Sequence, residues 1–227
     1  MNTSLATRHR AGVASAVALL AVLAIASAGP AWSAPSHVRP PATKPHGVSL
    51  TEMAAAVAPF TLNDNAPAHY PTTPFQVLYI SGVDEWQEVD GGLTAPANDS
   101  FTVAPGTMLY VPLFNVTDLP PALGGFPSTP VEATTYFFDP AQYGGDFEIV
   151  VDGVATPIGV EYLVGPITAE GSGTQILTLG AFVGPLSVGT HTVIVNGGIY
   201  GDAVNEVHGV SFIEERITYI VTVAPPA

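Results

Sequence analysis

The chain has 227 residues, no cysteine, and 19 acidic against five basic side chains, a formal net charge of −14. Phosphate recognition needs clustered Lys and Arg, so nucleic acid and anionic membrane surfaces are excluded as partners. Without a thiol there is no disulfide, no Cys-ligated metal and no cysteine nucleophile, which leaves burial, backbone pairing or a bound ion to hold the fold.

Residues 1–34 read as a secretory signal peptide. Arg8 and Arg10 supply a basic start, "AGVASAVALLAVLAIASA" an apolar core, and both Ala26-Ser27-Ala28 and the run Ala31 to Ala34 offer cleavage sites. The Ala-rich core suggests a bacterial exporter. A retained anchor is the rival reading, but the apolar run is short for a bilayer span and no later segment spans either. The expected location is extracellular or at the cell surface, with no membrane contact after cleavage. Cleavage there leaves Arg39, Lys44 and Arg216 against all 19 acids, and from Ser49 onward Arg216 is the only cation. That imbalance suits bound Ca²⁺, a cationic partner, or simple colloidal solubility.

Residues 35–48, with four prolines, read as an extended, solvated linker. The domain proper is 49–227. "SLTEMAAAVAPF" opens it with a Ser49/Glu52 capping box, which predicts one short helix ended by Pro59. Beyond it, runs rich in aromatic and β-branched residues predict strands at 75–80, 106–114, 132–138, 147–151, 161–167, 176–184, 190–195 and 215–223. Asp152-Gly153 is a two-residue hairpin signal. The expected fold class is all-β, an antiparallel β-sandwich, immunoglobulin-like or jelly-roll, with one short N-terminal helix. Two stretches, 118–130 and 197–211, exceed ordinary hairpin loops and are where function is expected.

The segments "PGTMLYVPLFN" (105–115), "VDGV" (151–154), "PLSVGTHTV" (185–193) and "YIVTV" (219–223) occur in this order. The series resembles a group of secreted bacterial β-sandwich proteins. These share a PLxxGxHxI strand start and a C-terminal YxI/LxV strand. The resemblance spans about 105–223 and implies export and a sandwich fold. It brings no catalytic residues with it.

Three constellations are candidates for chemistry. His191 is in phase with Val193 and Val195, so it either fills space at the mouth of an apolar stripe or acts as a ligand or base. In the second case its partners would be His69 and His208, a His₃ set for Zn²⁺ or Cu²⁺, although no H-x-H or H-x₃-H spacing links them. The densest acidic stretch, 81–92, holds Asp84, Glu85, Glu88 and Asp90 around Trp86. It reads as a Ca²⁺ or ligand loop with Trp86 as a stacking platform, or as a solvated loop; the EF-hand pattern is missing. Glu215 alternates with Ile217, Tyr219, Val221 and Val223, so it is a possible buried carboxylate in need of a partner or a raised pKa. No G-x-S-x-G elbow or phosphate-binding glycine loop is present.

The leading functional expectation is a binding or structural module that recognises an extracellular glycan or protein through its loops. Exposed aromatics on 63–74, 81–92 and 197–211 would favour it. The alternatives are an enzyme acting on extracellular polymer, through a metal–histidine site or a carboxylate pair, and a calcium-stabilised surface scaffold.

Overall fold

The computed structural model describes residues 36–80 and 86–225. The signal segment, Asp84 and Glu85 therefore lie outside the described residues. The elements in order are α1 (Leu50–Thr61), β1 (Gln76–Val77), β2 (Gln87–Val89), β3 (Gly92–Val103), β4 (Leu109–Thr117), α2 (Pro130–Phe138), β5 (Gly145–Val151) and β6 (Val154–Pro157). They continue with β7 (Leu163–Thr168), β8 (Gln175–Val183), β9 (Gly189–Ile199), α3 (Asp202–His208) and β10 (Ile213–Val223).

The strands form two sheets, ordered β1-β4-β8-β7 and β2-β3-β10-β9-β5-β6. Their inner faces meet in one apolar core that joins Leu109, Val111 and Leu179 of the smaller sheet to Ile149, Val193 and Val221 of the larger. This is a sandwich, but its sheets are mixed where antiparallel ones were expected. β3 runs parallel to β10 through eleven paired positions, and β1 runs parallel to β4. These partners are far apart in sequence, so no tight turn forces opposite directions on them.

Local chemistry accounts for the helices. Ser49 caps α1 by accepting from the Glu52 N–H, and Glu52 accepts from Ser49 in return. The helix continues two residues past Pro59, because a proline in the last turn forfeits a single backbone bond. α1 packs on β7 and β8, which is why β8 is buried from Ile176 to Val183 on both faces.

The segment 132–138 is a helix, α2, and the strand expected there does not form. Thr129 caps its first turn, Pro130 sits where no N–H is needed, and the Glu132 carboxylate accepts from the Ser128 N–H at 2.8 Å. Those caps prevail over the β propensity of Thr, Tyr and Phe. Ala133, Tyr136 and Phe137 then fall on one buried helical face.

The expected linker is tied in. Val38 is buried and bridged to Val183, the Arg39 N–H donates to the Phe182 carbonyl, and the Tyr162 hydroxyl donates to the Arg39 carbonyl. The expected loop 197–211 divides into the end of β9, the helix α3 and a short link to β10. α3 and α2 carry a second apolar cluster, including Tyr136, Tyr143, Ile199, Val204 and Ile213, at one end of the sandwich.

Candidate functional site

His191 sits at the start of β9 with both ring nitrogens engaged. Nδ1 lies 2.7 Å from Asp152 Oδ2 and Nε2 lies 2.8 Å from the Ser187 carbonyl oxygen. Both partners are acceptors, so both nitrogens must carry a proton, which favours the imidazolium. The hydrogen bond to Asp152 accordingly raises the His191 pKa above its ordinary value, against the opposing effect of burial. Burial pushes the Asp152 carboxyl up, but hydrogen bonds from His191 and from the Thr192 N–H outweigh it and hold the carboxyl below its usual range. Asp152 and Gly153 both have positive φ, as a two-residue hairpin between β5 and β6 requires. His191 therefore pins that hairpin to β9. Its chemistry is spent on structure.

The other two histidines are elsewhere. His69 is exposed in a single 3₁₀ turn, Pro67–His69. His208 ends α3, half-buried beside Tyr143, and burial lowers its pKa. It lines a cleft together with Ile199 at the far end of β9, about 26 Å along the strand from His191 at about 3.3 Å per residue. The expected His₃ set is not assembled. Among the described residues no three His, Asp or Glu side chains group closely enough to hold a metal ion.

The acidic stretch is built differently from the loop expected there. Gln87–Val89 is strand β2, exposed at all three positions, and it pairs with the start of β3 through a two-residue turn at Asp90-Gly91, again with both φ positive. Glu88 is on that strand and Asp90 is in its turn, so neither converges with the other on a ligand position. Trp86, just before β2, is 42% exposed and turns toward the same cleft as His208.

Glu215 is the residue on which the geometry converges. It occupies the core-facing row of β10 between buried Ile213 and Ile217. Its paired neighbours are Ala95 on β3 and Gly197 on β9, so the inner face of the large sheet has a depression around the carboxyl. Across the gap, β4 carries a bulge between Pro112 and Phe114 that offsets Phe114 and Asn115. Two clefts result, of about 290 and 310 Å³, which share Phe114, Asn115 and Glu215. The first runs toward Trp86, Tyr143 and His208, the second toward Asp64, Asn65 and Tyr79.

Glu215 is half-buried: protein partly desolvates the carboxyl, and solvent reaches it through the clefts. That desolvation pushes its pKa up to about 7. Among the described residues it has no hydrogen-bond or ion-pair partner, whereas its neighbour Glu214 accepts from the Tyr200 hydroxyl at 2.9 Å. The described cations are elsewhere. Arg39 donates to the Gly184 carbonyl, Lys44 lies near Glu52, and Arg216 is exposed on the opposite face of β10 with no ion pair among the described residues.

Sequence reasoning missed Phe114, Asn115, Tyr143 and Tyr79 as cleft residues. Alternation along the last strand singles out Glu215, but nothing local to the chain says that a bulge on β4 lies opposite it.

No family model and no curated protein matches the chain. One solved structure, described as PbICP-C in complex with falcipain-2, is similar over 65% of this chain and 99% of its own, at 12% identity and a TM-score of 0.26. At that TM-score the likeness says nothing about the architecture or role of this chain.

Proposed function

We propose that this chain is an exported binding module that takes an extracellular protein or glycan at the paired clefts around Glu215. The observation that carries the reading is the set of side chains brought there from separate segments: Trp86, Phe114, Asn115, Tyr143, His208 and Glu215. Each cleft has about the volume of a small ligand site, and its walls mix aromatic rings with polar side chains in roughly equal measure. The aromatics Tyr70, Trp86 and Tyr200, on the three stretches singled out for exposed rings, are all at least 36% exposed, and Tyr70 and Tyr200 add contact area beyond these two clefts.

The test is retention on glycan and peptide arrays by the wild type and by Trp86→Ala. Trp86 is 42% exposed, so its removal leaves the core intact. Ligands retained by the wild type and lost by the variant support the reading; unchanged retention overturns it.

A second reading is favoured by one observation. Glu215 and Asp64 line the same cleft, and a hydrolytic carboxylate pair needs two carboxyl groups facing one cleft. Turnover of extracellular polysaccharide that disappears in both Glu215→Gln and Asp64→Asn would establish it.

A further inference from the structure

We infer that the group bound at Glu215 is an organic cation, the alkylammonium of a lysine-like amine or the guanidinium of an arginine-like one. The inference rests on the cleft being the binding site and names what the cleft selects. A half-buried carboxylate without a partner among the described residues loses part of its hydration, and a cation placed against it in the cleft offsets that loss. The chain supplies no such cation among its described residues. From Ser49 onward it has one Lys or Arg in total, Arg216, and that side chain is exposed on the other face of the strand.

The walls fit the rest of such a group. Phe114 borders both clefts, with Trp86 at one end and Tyr79 at the other. Aromatic rings beside a carboxylate pack against an alkyl stem and attract a cation by its charge. The asparagine amide of Asn115, shared by both clefts, offers an acceptor for a further N–H. A protein with a net charge of −14 also draws cations toward its surface before contact.

Proton linkage gives the inference a signature. The ionised carboxylate binds and the protonated one does not, so affinity rises as pH passes upward through the free carboxyl's value. Among the described residues, the other titratable groups facing the clefts are His208 on α3, Asp64 after α1, and Tyr79, Tyr143 and Tyr219. Burial keeps His208 titrating below its ordinary 6.5, and no Lys or Arg joins the set. The range above pH 6.5 therefore reports Glu215.

The experiment is calorimetric titration of the purified protein with acetyl-Gly-Lys-Gly-amide, its norleucine counterpart and butylammonium, between pH 6 and 8.5, in the wild type and Glu215→Gln. The expected result is binding of the lysine peptide at least about tenfold tighter than of the norleucine peptide. Affinity should rise about tenfold from pH 6 to pH 8, and both effects should be lost in Glu215→Gln. Butylammonium binding as tightly as the peptide identifies a small amine as the source; a peptide preference identifies a basic segment of a protein. Equal binding of the norleucine peptide, unchanged affinity in Glu215→Gln, or no binding of any probe overturns the cation assignment. The Trp86→Ala array result stands or falls separately, so failure of the charge preference and failure of the cleft itself are distinguishable.

Discussion

Glu215 and His191 are opposite cases of one electrostatic rule. His191 gains acceptors on folding, so its raised pKa makes a contribution that is fully present below 6.5 and lost as pH rises through the folded value. Asp152, held low, contributes above its unfolded value and loses that contribution as pH falls through the lowered one. The pair thus acts between those two limits. Because Asp152 is 41% exposed, its worth is about 1 kcal/mol after solvent screening. Asp152→Asn should return the His191 pKa, followed by NMR, toward 6.5; a value that stays raised would show that Ser187 alone holds the proton. Glu215 works the other way. The folded chain keeps its proton up to about 7 while the unfolded chain releases it near 4.5, so stability falls as pH rises across that interval. Glu215→Gln keeps the shape and removes the charge. It should melt several degrees higher than wild type at pH 8, about 1–2 kcal/mol, and equally at pH 4.5. An equal or lower melting temperature at pH 8 would mean the carboxylate already has a partner.

Among the elements, caps decided more than propensity. The segment 132–138 has strand composition and forms a helix because Thr129, Pro130 and Glu132 close its first turn. Thr129→Ala should cost about 1 kcal/mol by denaturant unfolding, the usual loss at an N-cap; no loss would place the stability of α2 in its buried aromatic face alone. β3 is the reverse case. "GLTAPANDSFTV" is poor in strand formers, yet it pairs with β10 from Leu93 to Val103. Pro96 is tolerated because β2 covers β3 only from Gly92 to Thr94, leaving an edge beyond. The strands that were legible, β1, β4, β5, β7, β8, β9 and β10, fall on runs rich in aromatic and β-branched residues of their own. β3 was not, because its conformation is imposed by a partner more than a hundred residues away. Asp152-Gly153 was readable as a hairpin, and Asp90-Gly91 carried the same signal inside a stretch whose acidity suggested a ligand loop. α3 is docked through backbone: a Cβ on Gly201 would approach the Gln142 carbonyl oxygen to 2.1 Å. Gly201→Ala should therefore lower the melting temperature and shift the Tyr143 and His208 resonances together. A change confined to residues next to 201 would contradict that docking.

At the scale of the whole molecule, the sandwich, its acidity and the core-facing phase of Glu215 follow from residues that can be read in order along the chain. The cleft does not. It exists because a bulge on β4 faces the Ala95–Gly197 gap beside Glu215, a relation between two sheets that no local pattern encodes. The three histidines illustrate the same limit: their residue type suggests a metal, and the fold sends one to a hairpin, one to a helix end and one to an exposed turn. What the clefts present is the Glu215 carboxylate beside aromatic rings, on a strongly anionic chain. The most direct measurement is the pH titration of the Glu215 carboxyl carbon by ¹³C NMR, with and without butylguanidinium. A midpoint near 7 in the free protein, moving down when the cation is added, is the predicted result. A midpoint near 4.5 that the cation leaves unmoved would contradict it.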